Sequence, residues 1–504
     1  MDIRRRLLSI KKKSSGGGDV DIEGNNVITY TSTDGNIVTP YSTTGFGANI
    51  VSNTYTNGVG IIVFDGNITS IGDETFFHCK SLTSITIPDS VNSIGNQAFD
   101  TCSSLESFQG KFASIDGRCL IVEGVLNSFA PAGLTEYTIP DIVTSIGNHV
   151  FHNCSSLRSV IIPNSVTSIR DSAFQYFRSL RSITIPDSVT SIGKRTFYYC
   201  DSLTSVTIGN GVTSIGDNVF GYCRSMTSVT IGNSVTSIGE RAFDNCSSLT
   251  SVTIPDSVTS IGNSAFEDCS SLTSITIPDS VTSIRYHAFY ECTSLTSITI
   301  GKGVTDIGAS VFGSCTAIAS IIVFEGNTKY DSRNNCNAII ETSTNTLIIG
   351  CNNTIIPDSV TSIGSSAFIG CSSLTNVTIP DSVTSIGAYA FFECTSLTSV
   401  IIGNNVTLIG NQAFRDCTSL TSITIPDSVT SIGGYAFFEC ASLTHVYCKP
   451  TTPPTLGSDV FKNNASTRKI YVSNTSVNAY ETATGWSYYA SDIESYIFGG
   501  TNLT

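Results

Sequence analysis

The 504-residue chain is only 13% charged and carries a formal net charge of −14. Six cations and one acid fall within the first 13 residues, so the body holds 20 basic against 39 acidic side chains, a net of −19. An acidic body argues against a nucleic-acid surface, which needs clustered Lys and Arg. No stretch approaches the roughly 18 uninterrupted apolar residues of a membrane span.

In chain order, residues 1–18 read as a basic flexible leader. Arg4, Arg5, Arg6, Lys11, Lys12 and Lys13 precede a Ser/Gly hinge at 14–18. The apolar part of the leader, Leu7-Leu8-Ser9-Ile10, is too short for a secretory h-region. Residues 19–60 are rich in Thr, Asn and Gly, with short β patterns at Val27-Ile28-Thr29-Tyr30-Thr31 and Ile37-Val38. They are expected to form an N-terminal β cap.

From 61 to 448 a Phe followed three residues later by Cys recurs every 23 residues. The pairs Phe197/Cys200, Phe220/Cys223, Phe243/Cys246, Phe266/Cys269 and Phe289/Cys292 lie within one unbroken run. A fixed period of this length indicates a solenoid, whose units bury their apolar edges against their neighbours. One unit, Leu272 to Ser294, illustrates the coil. Leu272, Ile275 and Ile277 should point inward from a strand that Pro278 ends. Val281 and Ile284 should point inward from a second extended stretch, and Ala288, Phe289 and Cys292 from a short helical or 3-10 turn. Four coils have Gly where the others have Pro (Gly209, Gly232, Gly301, Gly403), which is expected to loosen those turns.

Thirteen of the 17 cysteines occupy the one repeat position. Stacked coils would hold them about 4.8 Å apart with parallel side chains, whereas a disulfide needs converging Cβ atoms about 3.8 Å apart. The ladder therefore reads as reduced thiols acting as small core hydrophobes. Phase slips between Cys102 and Cys154 and between Cys315 and Cys371 mark enlarged coils. Each is expected to hold a hairpin, near 108–137 and near 324–352. Residues 449–504, with Trp486, Tyr480, Tyr488 and Tyr489, are expected to form a C-terminal cap.

The pattern L-x-x-I-x-I-P-x-S-V-x-x-I-G-x-x-A-F-x-x-C resembles the BspA-like, or Treponema pallidum-type, leucine-rich repeat family. The resemblance implies a right-handed, mainly β coil of about 14 units of 23 residues with a parallel sheet. It further implies a non-enzymatic protein that attaches to host matrix proteins or other cells. Two other functions are weighed beside it: a virion component of a phage or prophage that binds a receptor, and a cytoplasmic scaffold. The absence of a secretory signal suits the cytoplasm or a virion, while the resemblance suits the cell surface.

No P-loop, H-E-x-x-H or G-x-S-x-G motif is present, and neither a metal nor a cofactor is expected. The expected partner is a protein or glycan on a cell surface, with no nucleic acid and no membrane span; oligomeric state is left open. The strand face repeats Ser-x-Thr monotonously, while the residues beside each Ala-Phe vary. Specific contacts are therefore expected from that varied edge and the hairpins. The candidate binding residues are Tyr198, Tyr199, Tyr222, Tyr286, His287, Tyr389, Phe392 and Phe438.

Overall fold

The computed structural model describes residues 24–498; the basic leader and the last six residues lie outside them. The chain divides into two compact units, one made of residues up to Leu134 with Gly147–Val150, the other of Thr135–Ile146 with Phe151 onward. The coils number about 19 turns, with very little helix.

The first unit opens with antiparallel pairing. Strand Val27–Ser32 lies between Val59–Phe64 and Leu82–Ile87, antiparallel to both. Ile50–Thr56 returns as Val59–Phe64 through Asn57 and Gly58. Both turn residues have positive φ, 56° and 80°, the geometry an Asn-Gly hairpin turn favours. Leu82–Ile87 then pairs in parallel with Ser107–Gly110, starting the coil stack. A second hairpin, Cys119–Val122 with Val125–Phe129, turns at Glu123 and Gly124, again both at positive φ.

In the second unit each coil has three faces. The first is a parallel sheet in exact 23-residue register: Ser182–Ile185 pairs with Ser205–Ile208, and that with Ser228–Thr230. Alternate residues are buried, as the period of two requires. The second face is a rank of two-residue Ser-Ile strands, as at Ser237–Ile238, Ser260–Ile261 and Ser283–Ile284.

The third face, around Ala-Phe, differs from the expected helical or 3-10 turn. The residue before Ala and the residue before Cys both sit at positive φ, as in Arg241 (52°) and Asn245 (57°) or His287 (57°) and Glu291 (58°). Residues in that region break a right-handed helix. The turn instead directs alternate N–H groups at the next coil: Arg195, Phe197 and Tyr199 donate to the carbonyls of Asp217, Val219 and Gly221 at 3.1, 2.8 and 3.0 Å. A helix would have spent these donors internally. Among the described residues, α-helix is confined to Val477–Thr482, and short 3-10 segments lie at Arg333–Asn335 and Trp486–Asp492.

The core is a column of rings. Phe197, Phe220, Phe243, Phe266 and Phe289 stack at centroid spacings of 5.3, 5.3, 5.1 and 5.2 Å, with planes within 13° of parallel. All five are fully buried, as are Cys200, Cys223, Cys246, Cys269 and Cys292. The 17 cysteines are all free. The thiols are more than hydrophobic filler. In the regular coils the ladder thiol donates to the Phe carbonyl of the preceding coil: Cys223 to Phe197 and Cys246 to Phe220 at 3.2 Å, Cys269 to Phe243 at 3.3 Å. The same carbonyl also accepts the N–H of the Cys three residues on, so both of its lone pairs are used. Burial keeps the proton in place, pushing Cys79 up to about 11 and Cys440 up to about 12.

The glycine turns are tied down rather than loosened. Asn210 N–H donates to the Asp187 carboxylate at 2.6 Å, Lys302 N–H to Asp279 at 2.8 Å, and Asn404 N–H to Asp381 at 2.7 Å. A Cβ on Gly209 would stand 2.6 Å from the Pro186 carbonyl carbon, so a larger residue here would push the two turns apart.

Within the second enlarged coil, Ile339–Glu341 pairs antiparallel with Thr346–Ile349, and the latter resumes parallel pairing with Ser362–Ile363. At the far end, Lys469–Ser473 and Ile493–Tyr496 extend the sheet beyond His445–Cys448. Trp486 and Tyr480 are fully buried there, which removes Trp486 from any surface role in stacking on sugars.

Candidate binding face

The side chains of the turn face follow directly from its backbone. The residue before Cys sits at positive φ in every regular coil, and coil-to-coil hydrogen bonds hold it in a rank. In coil order this rank reads Tyr176, Tyr199, Tyr222, Asn245, Asp268, Glu291. The three tyrosines stack, Tyr176 on Tyr199 at 5.2 Å and Tyr199 on Tyr222 at 4.5 Å, with planes 14° and 17° apart. Tyr198 stands across them, at 87° to Tyr199 and 76° to Tyr222.

Arginines border this stack. Arg178 lies 5.8 Å from the Tyr176 ring centre, Arg195 lies 6.0 Å from Tyr198, and Arg224 lies 5.4 and 5.8 Å from Tyr222 and Tyr199. Such contacts are worth about 0.5–1 kcal/mol each at exposed sites. Asp201 reaches Arg178 and Arg224 only at 3.8 and 3.9 Å. Burial raises the Tyr198 hydroxyl above its ordinary value, with Tyr199 adding to it, while the Asp244 charge is the main cause of the rise at Tyr222.

The structure thus brings Tyr198, Tyr199 and Tyr222 together and adds Tyr176, Arg178, Arg195 and Arg224. Tyr176 was legible in the sequence, because it follows Phe174 at the same spacing as Tyr199 follows Phe197. The other candidates form separate groups. Tyr286 and His287 stack at 3.6 Å, and Tyr290 lies 4.3 Å beyond. Tyr286 is half exposed; burial lowers the His287 imidazole below its ordinary value. Tyr389 contacts Phe392 edge-on at 5.9 Å, and Arg415 lies over both Phe392 and Phe438, at 5.5 and 5.1 Å. Arg415 is already occupied by Gln412 at 2.9 Å and Asp416 at 3.2 Å.

Beyond the tyrosines the rank turns acidic. Asp244 is almost fully buried, and burial, then the Glu267 charge, pushes its carboxyl from 3.8 to about 6, with Arg241 opposing. The native state therefore holds this proton more tightly than the unfolded chain does. Its contribution to stability is greatest below the unfolded value and declines as pH climbs through the folded one. Asp244→Asn should stabilise the protein near neutral pH by about 1 kcal/mol after allowance for solvent screening. The advantage should disappear by about pH 4. Melting curves of both proteins across that range test this, and a difference that does not change with pH would refute it.

Among the described residues no group of three His, Cys, Asp or Glu side chains is placed to hold a metal ion. No helix among the described residues is long and apolar enough to cross a membrane. A cavity of about 350 Å³ beside the second hairpin is lined by Phe312, Tyr330, Ile349 and Ile369, among others. Lys329 and Glu341 at its rim pair with each other at 3.7 Å.

The family described as BspA type leucine-rich repeat region matches residues 36–120, 126–250, 236–349 and 348–468. Among solved structures, the chain is similar to a leucine-rich cell surface protein from Faecalibacterium prausnitzii. Identity is 32% over 72% of this chain and 94% of that one, with a TM-score of 0.53. It is also similar to a leucine-rich repeat protein from Bacteroides ovatus, 22% identical over 88% of this chain and 90% of that one, TM-score 0.45. A Treponema pallidum leucine-rich repeat protein is 24% identical over 47% of this chain and 83% of that one, TM-score 0.25. None of the curated proteins matches.

Proposed function

The chain belongs to the BspA-type leucine-rich repeat family, and from that premise we propose that it is a non-enzymatic adhesion protein that recognises a protein or glycan on a cell surface. The observation that carries this reading is the Tyr176–Tyr199–Tyr222 stack with its bordering arginines. Elsewhere the coils repeat the same side chains, so selectivity has to come from where they differ. Clustered Tyr and Arg are the residues in which binding energy concentrates. The similar Faecalibacterium protein is a cell surface protein, which supports the same location for this one.

The test replaces Tyr198, Tyr199 and Tyr222 together with Ser. These side chains are half-buried on a surface face and outside the Phe column, so the fold should persist. Binding of the labelled full chain to cultured cells and to immobilised matrix proteins and glycans should fall about tenfold or more, as expected when hot-spot aromatics are lost. A folded triple variant that binds as well as the wild type would refute the proposal, as would a wild type that binds none of these surfaces.

A further inference from the structure

We propose that the ligand of the tyrosine–arginine face is an acidic polysaccharide, held along the coil axis between Tyr176 and Arg241. This rests on the reading of that face as the binding surface and adds the chemistry of what it binds.

The orientation of the rings decides against a stacking platform. Tyr176, Tyr199 and Tyr222 lie face to face at 14° and 17°, so the protein itself occupies the ring faces. A sugar or base that packs on an aromatic ring needs a free face. The surface left to a ligand is ring edges, hydroxyls and guanidinium groups. Aromatic edges carry the positive end of the ring quadrupole, a phenol hydroxyl can donate, and guanidinium is the group best shaped to hold carboxylate or sulfate through paired bonds. These groups favour an anion, with Asp201 and Asp244 as the opposing charges nearby.

The charge distribution agrees. Residues 158–241 hold eight Lys or Arg against five Asp or Glu, whereas the whole chain is at −14. No salt bridge engages Arg195 or Arg241, and those of Arg178 and Arg224 to Asp201 are long, at 3.8 and 3.9 Å. Arg224 also gives its Nε–H to the Asn245 side-chain oxygen at 3.2 Å, and the remaining donors of these guanidinium groups are left for a ligand. By contrast Lys194 is committed to Asp217 at 2.8 Å.

The repeat favours a ligand that is itself periodic. The rungs are spaced at 5.2 and 4.5 Å along one line, which suits a linear chain with an anionic group on successive sugar units. A nucleic acid offers the charge but would gain affinity from base stacking, which these rings cannot supply. The same rank also ends the site. After Asn245 the rank continues with Asp268 and Glu291, which would repel a polyanion extending further.

The experiment uses the full chain on surfaces carrying heparin or chondroitin sulfate, polygalacturonate, neutral dextran, or single-stranded RNA. Binding is expected to the acidic polysaccharides, the sulfated and carboxylate-only surfaces separating the two anion types, with none to dextran. The affinity should fall with salt, as ion release requires. Combining Arg195→Gln, Arg224→Gln and Arg241→Gln should weaken binding about tenfold or more and flatten the salt dependence. Lys469→Gln, outside the face, is the matched control and should change nothing. Unchanged binding by the triple arginine variant would overturn the proposal by placing the affinity elsewhere, for instance in the basic leader. So would absence of binding to every acidic polysaccharide, or RNA binding as tight. If the tyrosine variant loses cell attachment while no acidic polysaccharide binds, the adhesion reading stands and this one falls.

Discussion

Phe243→Ala is expected to destabilise the coil stack by about 3–5 kcal/mol, the range for truncating a fully buried Phe. Phe243 is wholly shielded from solvent and sandwiched between Phe220 at 5.3 Å and Phe266 at 5.1 Å. Truncation therefore removes ring contacts on both faces and leaves a ring-sized void in a column that neighbouring coils cannot close. Those coils are held in register by backbone bonds on the turn face and along the Ser-Ile rank, and more sparsely on the first sheet face, where residues 251–254 pair with no strand. Because each coil touches only its neighbours, the damage should be local. Hydrogen exchange should accelerate in the coils from Phe220 to Phe266, while the amides of Val27–Ser32 keep wild-type rates. Denaturant unfolding read beside it should show a lowered midpoint. Ser228→Ala, on the exposed strand face, should stay within about 0.5 kcal/mol of wild type. A Phe243→Ala protein with unchanged exchange in those coils would show that the column is not what holds them together.

Trp486→Ala should be at least as costly, for a different reason. The last coil of a solenoid has no successor and must cover its apolar face some other way. Phe461 continues the column from Phe437 at 5.6 Å, and the Trp486 ring lies 5.9 Å from Phe461 and 4.8 Å from Tyr480. The Trp486 indole N–H donates to the Pro454 carbonyl, and the Tyr480 hydroxyl donates to that of Pro450, both at 2.8 Å. Alanine loses the buried ring, about 3–5 kcal/mol, and strands the Pro454 carbonyl, a further penalty of about 1–3 kcal/mol. Trp486→Phe keeps most of the volume and should lose mainly the hydrogen-bond part. A dye that fluoresces on exposed apolar surface should bind the alanine variant and not the phenylalanine one. Equal dye binding and equal midpoints for Trp486→Ala and wild type would remove Trp486 from this role.

Much of the coil was legible because its signals are local. A strand declares its inward face by alternation, and the spacing from Phe to Cys repeats without regard to what lies beside it. The turn face was not legible in the same way. Ala-Phe-x-x-Cys resembles a helical turn on spacing alone. What excludes the helix is the pull of the adjacent coil, whose carbonyls capture alternate N–H groups and stabilise residues such as Tyr199 and His287 at positive φ. The cysteine position shows the same limit. Its small, apolar character was evident, but the bond from a ladder thiol to a carbonyl 26 residues earlier needs two coils in register. The candidate site was half visible: Tyr198, Tyr199 and Tyr222 stood out by type, whereas the bordering arginines joined them only through packing.

By itself the sequence determined the 23-residue coil, the parallel stacking and the buried column of Phe and Cys, because periodic burial is a property each unit carries within its own residues. The tertiary structure alone decided which exposed side chains share a rank, that the tyrosine rings turn their faces to one another, and that Arg195 and Arg241 make no salt bridge among the described residues. Those outcomes depend on atoms one coil apart meeting at about 5 Å. No residue encodes that meeting alone; it arises from the register between coils.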